Sequence, residues 1–222
     1  VNTLHLWDAQ PVHDTIDMNA FNAGNYSEAM KERSEIEALT SILYPDDTNG
    51  IGKQLRLRQE YFLVAAGIGM IIREYKARYG TDQWDKFPER IQIHINDTHP
   101  TMCIPELMRV FIDEEGIEWD DAWDIVTRTI AYTNHTVMSE ALECWSIDLF
   151  KNRLPRIYQI MQELNRRLCQ KLFDRFPGEW DRIGHMAILA YDQAHMANMC
   201  IAYSHAVNGV SQLHGDILKR ST

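Results

Sequence analysis

Isoleucine alternates with polar residues in the run Arg90-Ile91-Gln92-Ile93-His94-Ile95-Asn96. This alternation is typical of a β-strand with one buried face. The strand leads directly into a polar cluster, Asn96-Asp97-Thr98-His99-Pro100. In open α/β sheets, the loops that follow the carboxyl ends of the strands bind the ligand. The run therefore predicts a strand followed by a ligand-binding loop.

A second polar cluster follows a second predicted strand. Residues Thr127 to Tyr132 are consistent with a strand, and Thr133-Asn134-His135-Thr136 comes directly after it. Both clusters are rich in groups that donate and accept hydrogen bonds, and each contains a histidine. Together they predict one site for a polyhydroxylated ligand.

Most of the remaining chain has helical patterns, and the fold class is therefore α/β with few parallel strands. Apolar residues recur at steps of three and four from Leu57 to Tyr79, and Gly80 is a suitable C-terminal stop. Four further segments are predicted to be helical: 26–43, 141–148, 155–176 and 186–207. A short strand is predicted at residues 3–7. The strands are too few for a complete doubly wound sheet, so either the fold is mostly helical or part of the sheet lies elsewhere.

The composition restricts the possible partners. The formal net charge is -10 over 222 residues, which argues against nucleic acid or an anionic membrane as the main partner. The longest apolar run, Tyr61 to Ile72, is shorter than the roughly 20 residues needed to span a bilayer. The four cysteines are scattered and no basic leader is visible, so a cytoplasmic location is expected. The first residue is not Met, which suggests a piece of a longer chain.

The local chemistry of the two clusters leaves alternatives open. His94, Asp97 and His99 have a spacing that could supply metal ligands for a hydrolase. A structural Asp–His pair that caps the following helix is another interpretation. His135 could be a core histidine bonded to the backbone. Asp46 and Asp47, in a loop rich in turn residues, could be solvated or could form a mobile gate.

Six motifs that occur together in a fixed order indicate a resemblance to a known protein family. They are Tyr44-Pro45-Asp46-Asp47, Leu55-Arg56-Leu57-Arg58-Gln59-Glu60-Tyr61-Phe62, Asn96-Asp97-Thr98-His99-Pro100, Ile104-Pro105-Glu106-Leu107-Met108-Arg109, Tyr132-Thr133-Asn134-His135-Thr136 and Ser204-His205-Ala206-Val207-Asn208-Gly209-Val210. The set closely resembles the α-glucan phosphorylases, which act on glycogen, starch or maltodextrin. The likeness covers nearly the whole chain.

The resemblance implies phosphorolysis of an α-1,4-glucan to glucose 1-phosphate with retention of configuration. It implies a fold of the glycosyltransferase-B type, with two Rossmann-like domains and the active site between them. Residues 1–222 would be a single partial domain, the later part of the N-terminal domain, and the isolated fragment would be inactive. Pyridoxal phosphate would be bound to a lysine outside this chain. A non-catalytic carbohydrate-binding or interaction module remains the alternative.

The resemblance also implies roles for individual residues. His135 and Asp97 would be catalytic and would lie beside the reacting glucosyl unit. The residues that would bind substrate are His99, Asn134, Thr136, Asp47, Asn208 and Val210. The segment from Tyr26 to Leu43 would form a helix that contacts the second subunit of a homodimer. Where vertebrate relatives have Asp-Asn in the gate loop, this chain has Asp47-Thr48.

Overall fold

The structure is a computed structural model that describes residues 3–13, 15–136, 142–212 and 214–216. The chain forms two compact units, residues 1–66 and 67–222, and each is described by itself. The helices are α1 (Met18–Asn22), α2 (Tyr26–Ala29), α3 (Lys31–Ser41), α4 (Gly50–Tyr79), α5 (Phe87–Arg90), α6 (Cys103–Arg109), α7 (Trp119–Thr129), α8 (Ile147–Arg153), α9 (Pro155–Arg175), α10 (Trp180–Met186) and α11 (Met196–Tyr203). The strands are β1 (Ile93–Asn96), β2 (Ile130–Asn134), β3 (Cys144–Ser146), β4 (Leu189–Ala190), β5 (Gln193–His195) and β6 (Ala206–Gly209).

Over its described residues, the regular secondary structure of the first unit is helical, while residues 3–10 lie outside any helix. The predicted helix over 26–43 is two helices, α2 and α3, because the chain leaves the helical conformation at Met30. The carbonyl of Ala29, which a continuous helix would pair with Arg33, accepts instead from the backbone N–H of Asp17 at 3.1 Å. The predicted strand at residues 3–7 is wrong, since residues 3–10 have no regular secondary structure.

Gln59 fixes the end of α3 within the first unit. Its side-chain amide donates to the carbonyls of Ala38, at 3.2 Å, and Ile42, at 2.8 Å. Gln59 is buried. The last carbonyls of a helix have no partner within the helix, and here a buried side chain of α4 supplies one. The predicted end of α4 is confirmed, because Gly80 has a φ of 79°, a conformation that glycine adopts without strain.

A three-stranded parallel sheet organises the second unit. Its strand order is β1-β2-β6, and Asn96, Thr133 and Asn208 are aligned across it. The sheet confirms the α/β class with few parallel strands. The strand predicted at 127–132 begins only at Ile130, because α7 continues through Thr129.

A second sheet, antiparallel in the order β3-β5-β4, contradicts two predicted helices. Strand β3 lies inside the segment 142–148, while residue 141 falls outside the described residues. The segment 186–207 contains the hairpin of β4 and β5 before α11 begins. The helix predicted at 155–176 is confirmed by α9.

The core of the second unit lies on one face of the parallel sheet. Ile95, Ile130 and Tyr132 are fully buried on that face. The first six residues of α6 are also buried. The aromatic rings of Tyr75, Trp84, Phe87 and Phe111 form a further part of this core, with centroids 4.9 to 6.0 Å apart.

The aromatic cluster should contribute strongly to stability. Replacing fully buried Phe87 with Ala removes contacts with three rings, and such substitutions cost about 3–5 kcal/mol. We expect Phe87→Ala to lower the apparent melting temperature of the full-length protein clearly. The control is Asp85→Ala at an exposed position nearby, which should change stability by at most about 0.5 kcal/mol. Equal effects of the two substitutions would contradict this assignment of the core.

Candidate functional site

Three parallel strands bring the polar residues to one end of the sheet. β1 ends at Asn96, β2 at Asn134 and β6 at Gly209. Because the strands are parallel and aligned, the residues that follow them lie at the same end. We call six residues there the carboxyl-end cluster: Asp97, His99, His135, Thr136, Asn208 and Val210. The structure thus unites two clusters that were separate in sequence and adds a third loop.

Asp97 has an unusual backbone conformation. Its φ is 65°, in the left-handed region, which Asp tolerates better than most residues. Its backbone N–H donates to the carbonyl of Thr133 at 3.0 Å, and its Oδ1 accepts from the N–H of Thr98 at 2.8 Å. The second carboxyl oxygen is not used in either of these bonds. Backbone strain of this kind concentrates at functional sites.

The loop after Asp97 is held from below by a hydroxyl and a thiol. Buried Thr101 donates to the carbonyl of Thr98 at 2.6 Å, and its Oγ1 lies 3.0 Å from the Sγ of Cys200. Burial raises the pKa of the Cys200 thiol to about 12, so this thiol stays protonated near neutral pH. It therefore packs beneath the loop rather than acting as a nucleophile. His99 is half-buried on this loop.

His135 is exposed, which excludes the interpretation as a core histidine. Its Nε2 lies 2.7 Å from Oδ1 of Asn96. Since an amide oxygen can only accept, Nε2 must carry the proton. The Asn96 bond therefore fixes the orientation of the ring, and in the neutral imidazole it leaves Nδ1 as an acceptor.

Asn134 differs from its neighbours because it is buried. Its Nδ2 donates to the hydroxyl of Tyr132, and its Oδ1 accepts from the backbone N–H of Thr136, both at 2.9 Å. Burial raises the pKa of that tyrosine, so its hydroxyl remains protonated near neutral pH. Asn134 thus shapes the turn that presents His135 and Thr136.

The end of β6 carries Asn208, and the loop that follows it carries Val210; both residues are exposed. The N–H of Val210 donates to Nδ1 of His214 at 3.3 Å. A Cβ on Gly209 would lie 3.1 Å from the ring of His214, so glycine gives that ring room against the end of β6. A groove of about 540 Å³ adjoins this loop, lined in part by Asn134, Asn208 and Gly209.

Asp47 lies in the first unit, where its Oδ2 is 2.6 Å from Nη1 of Arg56. A hydrogen bond from the backbone N–H of Thr48 holds the pKa of the neighbouring Asp46 carboxyl below its ordinary value. Gly52 is required nearby, because a Cβ there would lie 1.7 Å from the carbonyl oxygen of Asp46. The loop is therefore locally organised, with Asp46 exposed to solvent and Asp47 partly exposed.

The described residues provide no set of ligands for the predicted metal site. Within the described ranges, no group of three His, Cys, Asp or Glu side chains is placed to hold a metal ion. The Nε2 of His94, one of the three candidate ligands, lies 2.5 Å from Oγ1 of Thr133.

Sequence reasoning placed Asn96 and Thr133 in the two polar clusters but did not identify them as residues that orient the others. It considered His94 only as a metal ligand, and it gave His214 no role. The signal for His94, Asn96 and Thr133 was their position on the exposed face of β1 and β2, where side chains of adjacent strands meet. No sequence pattern indicated a role for His214, because its hydrogen bond with Val210 depends on the turn that follows β6.

The fold and this cluster define a class: an α/β protein with a hydrogen-bonding site at the carboxyl end of a parallel sheet. A family model described as "Carbohydrate phosphorylase" matches residues 1–222. Glycogen phosphorylase of Bacillus subtilis is 46% identical over 99% of this chain, and the muscle form of Homo sapiens is 45% identical over 100% of it. The muscle form of Oryctolagus cuniculus is 44% identical. The chain belongs to the carbohydrate phosphorylase family.

The chain spans about a quarter of the length of these relatives, 26% of the Bacillus subtilis protein and 27% of the human one. Over the residues that the structure describes, no helix is long and apolar enough to cross a membrane.

The conformation of Asp97 generates a stability prediction. Alanine is strained in the left-handed region by about 1–2 kcal/mol and offers no acceptor to Thr98. We therefore expect Asp97→Ala to lower the melting temperature of the full-length protein. Asp97→Asn keeps both the conformational preference and an acceptor oxygen, and should melt close to the wild type. The prediction fails if the Asn variant is as unstable as the Ala variant.

Proposed function

We propose that the full-length protein phosphorolyses an α-1,4-glucan to glucose 1-phosphate and that this chain supplies the wall that faces the sugar. The observation that carries the proposal is the carboxyl-end cluster, found in a chain of the carbohydrate phosphorylase family. Relatives about 45% identical across the whole chain are named glycogen phosphorylases. The cluster offers amide, hydroxyl, imidazole and carboxyl groups, which match an array of sugar hydroxyls.

His135 and Asp97 are the proposed catalytic residues. The bond from His135 to Asn96 holds the imidazole with one nitrogen free to bind a sugar hydroxyl. The strained turn at Asp97 holds one carboxyl oxygen on Thr98 and leaves the other for the substrate. Both groups are fixed before the sugar arrives, so little ordering is required on binding.

The other proposed substrate residues are His99, Asn134, Thr136, Asp47, Asn208 and Val210. His99, Thr136, Asn208 and Val210 belong to the carboxyl-end cluster. Asn134 is buried and acts by shaping the turn before His135. Asp47 is proposed to belong to a gate loop, and its bond to Arg56 gives that loop a defined arrangement.

Phosphate and pyridoxal phosphate are proposed to bind outside this cluster. The cluster contains neither lysine nor arginine, so it has no amine for a Schiff base and no cation for a phosphate. The residues present here therefore do not fit the cofactor, and we assign it to the remainder of the full-length protein. When bound, pyridoxal phosphate would supply a phosphate group for proton transfer. The groups that bind phosphate and the cofactor would thus be separate from the cluster that faces the sugar, and the isolated chain should therefore be inactive.

The location is proposed to be cytoplasmic. The cysteines Cys103, Cys144, Cys169 and Cys200 are free, and unpaired thiols are the rule in a reducing compartment.

The activity is tested with the full-length protein, a maltodextrin and orthophosphate. We expect glucose 1-phosphate to form only when phosphate is present. His135→Ala should lower kcat/KM by about 10- to 100-fold, because losing hydrogen bonds in a desolvated site costs about 1–3 kcal/mol. Thr127→Ala, a half-buried change on α7, serves as the control. Glucan binding without any glucose 1-phosphate would instead identify a non-catalytic carbohydrate-binding module.

A homodimer through residues 26–43 is also proposed. Helix α3 has no buried residue, and the two apolar residues that follow it, Ile42 and Leu43, are 72% and 52% exposed. Exposed apolar residues grouped in this way mark contact surfaces.

The dimer is tested by light scattering of the full-length protein after size-exclusion chromatography. The wild type should have the mass of two subunits, and Ile42→Glu should shift it toward one because a charge replaces the apolar contact. Ile42→Leu keeps the apolar surface and should remain dimeric. A monomeric wild type would refute the proposal.

A further inference from the structure

We infer that His94 and Thr133 are positioning residues that aim the amide of Asn208 at the bound glucosyl unit. They do so through a chain of hydrogen bonds that crosses all three parallel strands. The inference rests on the proposed function, since it describes how that sugar site is held in shape.

The strand register brings the three side chains together. Thr133 is aligned with Asn208 across β2 and β6, and the Thr133 hydroxyl donates to Oδ1 of Asn208 at 2.9 Å. On the other side of Thr133, Nε2 of His94 lies 2.5 Å from the same hydroxyl. All three side chains project from the same face of the sheet.

The carbonyl of Gly209 fixes the direction of this chain of bonds. It can only accept, and it lies 3.1 Å from Nδ2 of Asn208, so Oδ1 of that amide faces Thr133. The amide oxygen of Asn208 can only accept, so the single proton of the Thr133 hydroxyl is used there. The hydroxyl can then only accept from His94, and Nε2 of that imidazole must carry a proton. The sequence of donors is therefore His94 to Thr133 to Asn208.

This direction decides what Asn208 can offer to a ligand. With Oδ1 turned toward Thr133, the NH₂ group of Asn208 points the other way. One of its N–H bonds donates to the carbonyl of Gly209 at 3.1 Å. For the second N–H, the described part of the chain provides no partner. Asn208 is thus presented as a donor, suited to an acceptor oxygen of a sugar hydroxyl.

The Gly209 carbonyl disfavours the opposite arrangement of the amide. If Asn208 turned its NH₂ group toward Thr133, Oδ1 would face the carbonyl oxygen of Gly209 and the bond at 3.1 Å would be lost. Two acceptor oxygens facing each other leave polar groups unsatisfied, which is unfavourable. With the amide held this way, His94 donates to the Thr133 hydroxyl and keeps the hydroxyl proton on Oδ1 of Asn208, two strands away.

The first test compares Thr133→Val with Thr133→Ser in the full-length enzyme. Valine has nearly the same shape but cannot bond, whereas serine keeps the hydroxyl. We expect Thr133→Val to raise KM for the glucan about three- to tenfold with little change in kcat, as expected for a lost ground-state contact. Thr133→Ser should restore KM to within about twofold of the wild type. Thr127→Val on α7 controls for the loss of a threonine hydroxyl elsewhere.

The second test replaces the first donor of the relay. His94→Gln keeps an N–H donor near the position of Nε2, and His94→Leu does not. We expect KM to rise in the Leu variant and to be rescued in the Gln variant. A purely structural role would lower the melting temperature of both variants and would not separate them by KM.

The third test asks whether the effect passes through Asn208. In an Asn208→Ala background, Thr133→Val should raise KM no further, since there is no amide left to orient. Additive effects, or a Thr133→Val variant with wild-type KM, would overturn the inference.

A crystal structure of the full-length Thr133→Val variant gives a readout that does not depend on activity. We expect the Asn208 side chain to leave its wild-type orientation, and an unchanged orientation would overturn the relay. If the wild type forms no glucose 1-phosphate, the proposed function fails by itself, while the orientation of Asn208 still decides whether the relay exists.

Discussion

The parallel pairing of three short strands is the constraint on which the site depends. In-register bonds between β1, β2 and β6 align Asn96, Thr133 and Asn208 across the sheet. Because parallel strands share a direction, three loops from distant parts of the chain open at the same end. A shift of one residue in any pair would turn the polar side chains toward the core face. The buried Ile95 and Tyr132 oppose that shift, so the packing of one face maintains the chemistry of the other.

The site combines a rigid base with groups that remain available. Buried Asn134 and Thr101 use their bonding groups inside the protein to hold the two turns. His135 and Asp97 each use one polar atom for positioning and keep another for a ligand. Because one polar atom of each side chain already holds it in place, little conformational entropy is lost on binding.

Elements with a simple local signal could be predicted from the sequence, and elements made by tertiary pairing could not. β1 and α9 follow from alternation and helical periodicity. The segment that forms the hairpin of β4 and β5 is predicted to be helical, and its two-residue turn, Tyr191-Asp192, contains no glycine that would signal a hairpin. Both residues nevertheless have positive φ, 53° and 58°, as hairpin turns of this length require. The break at Met30 depends on a hydrogen bond from Asp17, which no local pattern reveals. For the site, the motifs predict the cluster residues, whereas the bonds that orient them depend on strand register and have no signal in the sequence.

The glycine at the end of β6 has a consequence for engineering this end of the sheet. A Cβ on Gly209 would lie 3.1 Å from both the ring of His214 and the backbone nitrogen of Gly215, so these neighbours would have to shift by a few tenths of an ångström. Libraries that vary this end of β6 would therefore have one constrained position, Gly209. Asn208 and Val210 are both exposed, but the Asn208 amide is bonded to Thr133 and to the carbonyl of Gly209. New side chains at this end of the sheet should thus be introduced at Val210, with Gly209 kept.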